Sequence, residues 1–378
     1  MRIFKSILVI FIIAIIGFGC GNNKKEIIKI GVIIPLTGDA SEYGNDQKRG
    51  IEIALKHYKD SLNNKNVQLE IVFEDSKSNS KDGINAYNKL ISQNIKIFFS
   101  TLSNVSMAIQ PLIKKNNNLF FTIAAHPELT TNKAKVIRML PTSSYYAKKL
   151  SFYVSNFFNK PSIGILFSND DFGNSLKEAF KEVYILDNGE IVISNSYEKN
   201  KMDYRSEITK IINKKPISIF LVGYGKDLGT IIKQFRELGY VGKIFGTPEI
   251  SYPDVKTIAG ETYDNIYYIS MKIDNETDIF KKFHSIYLKE YKINPSLDSY
   301  LGYDEAGIIC KSILLKKSVF FANDIDSIEV VVKSAINNYD GLTGCLNINQ
   351  NGDVYFPLAL KSIKNGKEIP LNFESKQQ

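Results

Sequence analysis

The 378-residue sequence predicts an α/β fold of two lobes, each with a central parallel sheet. Three observations carry that expectation. From residue 27 onward, short apolar runs alternate with amphipathic stretches, the order produced by a parallel sheet covered with helices on both faces. The alternation comes in two series of similar length, divided near Ser143. No unit of 20–50 residues recurs, which argues against a solenoid. The length is ample for two domains with their own cores.

In the first series, residues 27–35 read as a buried strand and 38–45 as a glycine-containing loop. A helix follows, in which Ile51, Leu55, Tyr58 and Leu62 recur at helical spacing. Then come a strand at 67–73 and a helix at 81–93 with Ile84, Leu90 and Ile91 turned inward. A strand at 95–99, a helix at 105–114 and a strand at 119–123 complete the series. The second series reads as helix 145–157, strand 163–167, helix 176–183, strand 190–194 and helix 204–212, with Tyr204, Ile208, Ile211 and Ile212 on one face. Strand 217–222, helix 228–238 and strand 241–245 follow. One more strand is expected at 266–269. Phe283, Tyr287 and Tyr291 mark a helix that Pro295 ends. Helices at 299–314 and 328–336 lead to a strand-like tail from Leu342, with a turn at Asn351-Gly352-Asp353.

The formal charge of +8 is spread among interleaved Lys, Asn and Glu. It forms no basic stripe with stacking aromatics, so nucleic acid is not an expected partner. The N-terminus reads as an export signal. Arg2 and Lys5 precede an unbroken apolar run at 7–16, and Gly17-Phe18-Gly19-Cys20 precedes an abrupt polar switch. The run is too short for a comfortable transmembrane helix, which needs about 20 residues. A Cys at this place resembles a bacterial lipoprotein signal: residues 1–19 are removed, the Cys20 thiol carries lipid and 20–26 form a linker. An uncleaved anchor is the rival reading. Either way the body lies outside the cytoplasm, held at a membrane. Cys310 and Cys345 sit in apolar settings, either as small buried hydrophobes or as a disulfide.

Enzyme and cofactor signatures are missing. Gly223-Tyr224-Gly225-Lys226-Asp227-Leu228-Gly229 approaches a dinucleotide fingerprint, but its third glycine is one place late. There is no phosphate loop and no GxSxG elbow. His57, His126 and His284 lie far apart with no cysteine pairing, so no metal site is expected. Asp170-Asp171 read as a helix cap and first turn rather than an acid/base pair. The one carboxylate that stands out is Glu249, after the Gly-Thr-Pro turn that ends the 241–245 run. Ligands of open α/β sheets bind at the carboxyl ends of strands, and a lone acid there suits an ammonium group. Its alternative is a solvated Glu beside a proline turn.

Several short patterns, taken in order, add a resemblance. They are Ile30-Gly31-Val32-Ile33-Ile34-Pro35-Leu36-Thr37-Gly38 with Glu42-Tyr43-Gly44, then Phe73-Glu74-Asp75, Pro127-Glu128-Leu129-Thr130 and Asp171-Phe172-Gly173. Gly302-Tyr303-Asp304-Glu305-Ala306 and Gly341-Leu342-Thr343-Gly344 complete the set. Together, from about Ile27 to about Lys367, they resemble the branched-chain amino-acid (Leu/Ile/Val) binding proteins of ABC transporters. The resemblance implies a type I periplasmic-binding-protein fold: two Rossmann-like lobes joined by a three-segment hinge that closes on ligand. It implies lobes of 27–141 plus 273–345 and 142–272 plus 346–378, with crossings near 140–142, 270–273 and 345–347. It implies a monomeric, non-catalytic receptor without cofactor, which delivers an amino acid or amide-like solute to permease subunits. The alternative within the same fold is a sensor that reports to a signalling partner.

Carried over residue by residue, the resemblance implies Tyr43 as a pocket-mouth aromatic and Ser103 or Asn104 as the carboxylate-binding position. The position of a further carboxylate-binding Thr is occupied by Ala125, and Ile123 and Ala124 would keep backbone contacts. Phe172 and Tyr224 become second-lobe aromatics, and Glu249 the ammonium-binding acid. The chemistry is consistent. Backbone N–H groups at a helix start near Val105 favour an anion, and the aromatics offer faces to an ammonium group.

Overall fold

The structure, a computed structural model, describes residues 25–131 and 135–371. The proposed signal and Cys20 lie outside the described residues.

The first lobe is built on a five-stranded sheet ordered β2-β1-β3-β4-β5. Its strands are β1 (Glu26–Ile34), β2 (Val67–Asp75), β3 (Ile97–Thr101), β4 (Leu119–Ile123) and β5 (Val136–Arg138), all paired in parallel. β3 and β4 are buried along their whole length, which is why they read as unbroken apolar runs. Helices α1 (Ser41–Asn64), α2 (Ser80–Ile91) and α3 (Ser103–Lys115) connect them.

The second lobe holds a seven-stranded sheet ordered β15-β14-β10-β9-β8-β6-β7. Strands β6 (Ile163–Ser168), β7 (Ile191–Tyr197), β8 (Ser218–Val222), β9 (Lys243–Gly246) and β10 (Ile266–Met271) are parallel. β14 (Leu358–Lys364) and β15 (Lys367–Pro370) extend the sheet antiparallel from β10. Helices α4 (Ser143–Phe157), α5 (Asp171–Leu186), α6 (Arg205–Ile212), α7 (Lys226–Glu237) and α8 (Pro253–Ala259) belong to this series. Three more helices, α9 (Asp278–Tyr291), α10 (Leu297–Phe321) and α11 (Ile325–Ile336), follow β10. Tyr287 of α9 donates to Asp46 of α1 at 2.8 Å, so the chain has returned to the first lobe. A small sheet of β11 (Tyr339–Gly341), β12 (Gly344–Ile348) and β13 (Val354–Tyr355) follows.

The chain thus passes between lobes three times, at residues 139–142, 272–277 and 356–357. The third passage was expected at 345–347, but those residues lie inside β12, paired antiparallel with β11. A buried knot fixes the approach to it. Arg138, fully buried, donates to Asp353 at 2.8 Å, and Thr130 donates to the same carboxylate at 3.0 Å.

Other departures have local causes. The 38–45 loop is shorter than expected, because α1 begins at Ser41. Asp75 holds the chain just before it, accepting from Leu36 N at 2.9 Å and from the Thr37 hydroxyl at 2.6 Å. α5 begins well before residue 176 because Asp170 caps it, accepting from Gly173 N at 2.9 Å. Val241 and Ile217 precede their ladders and are exposed, 84% and 64%. β5 was not foreseen at all. Cys310 and Cys345 are free; the first is buried, but the second is exposed in β12 rather than packed.

Candidate functional site

The carboxyl ends of β3, β4 and β9 point into one narrow cavity between the lobes. The centre of a water-sized sphere ranges there over about 50 Å³, room for several waters or one small solute. Eight of the nine residues expected to bind ligand line it: Tyr43, Ser103, Ile123, Ala124, Ala125, Phe172, Tyr224 and Glu249. Asn104 does not. Its amide donates to Ser78 O at 3.1 Å and its carbonyl accepts from Ser80 Oγ at 2.9 Å. Of these two candidates, only Ser103 lines the cavity.

The two lobes give the cavity two electrostatic ends. On the first lobe, α3 starts beside the cavity with no side chain capping its first backbone donors. Leu102, its N-cap, offers no side-chain bond and sits at φ +77°, a left-handed conformation costly for Leu and of a kind that clusters at functional sites. The Ser103 hydroxyl is buried and has no partner. Open N–H groups and an idle hydroxyl at a helix start suit a carboxylate. Ile123 and Ala125 present their backbones nearby. Both carbonyls are already engaged, by Leu102 N at 3.2 Å and by Ser143 N at 2.8 Å.

On the second lobe, Glu249 sits on the 3₁₀ turn Pro248–Ser251 that follows β9. Its Oε2 is buried without a hydrogen-bond partner. The surface it keeps faces the cavity. Burial pushes its carboxyl up to about 7, opposed by a bond from Thr247. A carboxylate removed from water with no cation beside it is expensive, and it is stabilised by any cation that enters.

Aromatic rings wall the space between the two ends. Tyr43 packs edge-on against Tyr252 with centroids 4.5 Å apart, and against Tyr224 at 6.1 Å. Phe172 lies 5.8 Å from Tyr224. The Tyr224 hydroxyl donates to Asp170 at 2.7 Å and accepts from Lys199 at 3.0 Å, so the ring is what it offers the cavity. Tyr43 crosses between lobes, its hydroxyl accepting from Gly225 N at 2.7 Å.

Sequence reasoning missed Tyr252, Leu297, Asp298 and Leu301, which also line the cavity. Asp298, 5% exposed, accepts from the Tyr252 hydroxyl. Burial and the neighbouring charges of Asp46 and Glu249 push its carboxyl well above the usual range. The Tyr146 hydroxyl, within reach of both carboxylates' fields, is buried and unpartnered as well. The only local signal for Asp298 was its place in the first turn of a helix, where acids are common for unrelated reasons. Among the described residues no group of His, Cys, Asp and Glu is placed to hold a metal ion.

Comparison with known proteins bears on the family and the fold. Residues 27–314 match the model of the family described as "Periplasmic binding protein". The Leu/Ile/Val-binding protein homolog 3 of Brucella melitensis is 24% identical over 264 residues, covering 68% of this chain and 71% of that protein. The leucine-, isoleucine-, valine-, threonine-, and alanine-binding protein of Pseudomonas aeruginosa is 21% identical over 346 residues, 90% and 91% of the two chains. The crystal structure of a leucine-binding protein LivK from Thermotoga maritima superposes with a TM-score of 0.83 at 22% identity, covering 91% of this chain and 98% of that one. The fold is therefore of the type I kind, and the lobes, the cavity between them and the matched residues make this chain a non-catalytic member of the periplasmic binding protein family.

Proposed function

We propose that this chain is the extracytoplasmic receptor of an ABC importer and that it holds an amino acid or a close relative between its lobes. The single observation that carries the reading is the buried carboxylate of Glu249, one oxygen of which has no partner, facing an uncapped helix start across an aromatic-walled cavity. An ammonium on Glu249 and a carboxylate at Ser103 and the first turn of α3 answer both ends at once. The family's usual Thr hydroxyl is Ala125 in this chain, so the carboxylate end relies on Ser103 and the backbone. Phe172, Tyr43 and Tyr224 enclose the ligand; Ile123 and Ala124 shape the floor.

The lobes comprise residues 27–141 with the helices that follow β10, and 142–272 with β14 and β15. They work as one monomer, each lobe supplying residues to the same cavity. The partners are the solute, the permease subunits and the membrane, reached through lipid on Cys20. A Cys20→Ala protein that still partitions with detergent as the unaltered one does would remove the anchor from this reading.

The test of the site is Glu249→Gln, which keeps the shape and removes the charge. Charge-assisted hydrogen bonds lost from desolvated sites cost about 2–5 kcal/mol, so affinity for the best amino-acid ligand should fall well over tenfold. Calorimetric titration of both proteins decides it. An affinity within about threefold of the original, in a variant that melts normally, overturns the assignment.

A further inference from the structure

The amino-acid reading leaves one cavity group unused. Asp298 stands in the first turn of α10, a place where acids are ordinarily solvated, yet it is 5% exposed. No Lys, Arg or His lines the cavity among the described residues, so Glu249 and Asp298 face it as two acids without a basic partner. The other acids close to Asp298 do not line the cavity, although one oxygen of Glu305 is also buried without a partner. Asp46 is bonded by Arg49 and by Tyr287, and Glu305 accepts from Gln47 at 2.7 Å. Asp298 has the Tyr252 hydroxyl, which an amide oxygen would accept equally well. Nothing in that contact requires a carboxylate.

The surroundings of Asp298 give the second acid a use. Leu297 and Leu301, from the first two turns of α10, line the cavity together with Asp298 and with Tyr252, which is bonded to it. An apolar wall that ends in an acid fits a short methylene chain that ends in a cation. The aromatic rings add faces that attract such a cation. The Ser103 hydroxyl, 3% exposed, unpartnered and lining the same cavity, shows that the space is built for a polar guest rather than collapsed protein.

We propose that the ligand is an amino acid with a second amino group, whose side-chain ammonium is held by Asp298 while the α-ammonium is held by Glu249. This rests on the amino-acid reading above and narrows it to basic amino acids. The guest supplies two positive charges and one carboxylate. These match the two acids and the open start of α3, so each buried charge gains a partner when the lobes close. A neutral aliphatic amino acid leaves Asp298 without a cation and gives up that match.

Ornithine and norleucine provide the test, because they are close in shape and differ in the terminal ammonium. Calorimetric titration should show ornithine binding at least about tenfold more tightly, the loss expected for one unmatched charge-assisted bond. Asp298→Asn should erase or invert that preference, and an unchanged near-ultraviolet circular dichroism spectrum identifies the variant as folded. Should Asp298→Asn not fold, the ornithine-to-norleucine ratio of the unaltered protein still decides. Norleucine binding as well as or better than ornithine overturns the assignment to Asp298 and leaves the amino-acid reading standing. Binding of neither, nor of any amino acid in a broad panel, overturns the amino-acid reading and this inference with it.

Discussion

Glu249 and Asp298 hold the cavity in an unsettled electrostatic state until a ligand arrives, and that has a consequence for stability. A buried acid with no cation beside it prefers its proton. Glu249 is raised from an ordinary 4.5 to about 7, and Asp304, buried in α10, is raised to about 6. In each case the folded protein holds a proton that the unfolded chain has already released. Stability is then greatest below the unfolded value and is lost as pH rises through the folded one. For Glu249 alone the loss corresponds to roughly 3 kcal/mol, at about 1.4 kcal/mol for each unit. The ligand-free protein should therefore melt at a lower temperature at pH 7.5 than at pH 5, and Glu249→Gln should reduce the difference, leaving the share of the other raised acids, Glu42, Asp298 and Asp304. The groups facing Glu249 are Thr247, Tyr43, Tyr146 and Asp298; none supplies a positive charge that would reverse the sign. A cationic ligand should restore the lost stability most strongly at the higher pH. Calorimetric scans across that range, with and without ligand, check both statements. A pH dependence that Glu249→Gln leaves unchanged would show that Glu249 has a compensating partner.

Between residue and lobe, helix contacts decide where the cavity's walls stand. α1 carries Tyr43 and α10 carries Asp298, and the two helices touch through glycine. A Cβ on Gly50 would lie 1.9 Å from the carbonyl oxygen of Ser299, and one on Gly302 would lie 2.3 Å from that of Gln47. Backbone atoms cannot swing aside as a side chain does, so Gly50→Ala must push the helices apart. Such overpacking costs about 1–3 kcal/mol. Because Ser299 adjoins Asp298, ligand affinity should weaken as well. Thermal melting and titration of Gly50→Ala check this; a variant that melts and binds unchanged would show that α1 and α10 slide freely. Two patterns noted separately in the sequence also meet on α10. Asp304 accepts from Leu342 N at 2.8 Å, Thr343 N at 2.9 Å and the Thr343 hydroxyl at 2.6 Å, tying the Gly341-Leu342-Thr343-Gly344 turn to the helix. Much of this architecture was legible. The fully buried strands announce themselves as apolar runs, and Glu249 stood out because a proline turn places it at a strand end. Asp298 was not legible, since its meeting with Glu249 joins two lobes and no local pattern encodes it. Val241 misled for the opposite reason: it is apolar and adjacent to a strand, yet it precedes the ladder and faces solvent. The third passage between lobes was placed too early because β12 reads as a strand without revealing that its partner is β11.

At the scale of the whole molecule, a handful of contacts bridge the lobes around the cavity. Gly225 N donates to the Tyr43 hydroxyl at 2.7 Å, Lys199 lies 3.8 Å from Asp39, and Tyr252 reaches Asp298. Beside these polar contacts stands the packing of Tyr43 on Tyr224 and Tyr252, and three short passages are all that joins the lobes covalently. Such an interface opens readily, and a ligand that touches both lobes favours the closed arrangement through its differential contacts. Ligand should then lower the radius of gyration and raise the melting temperature in proportion to the logarithm of its concentration. Tyr43→Phe keeps the ring and removes the acceptor for Gly225 N. A neutral hydrogen bond of this kind contributes about 0.5–1.5 kcal/mol, a factor of roughly 2–10 in the closing equilibrium. The ligand-free variant should therefore scatter as a more open particle than the unaltered protein, and saturating ligand should bring both to the same compact form. Small-angle scattering at matched concentrations distinguishes the outcomes. Equal curves for the two ligand-free proteins would show that the Tyr43 bond does not govern closure, and no compaction by a ligand that binds would overturn the hinge itself.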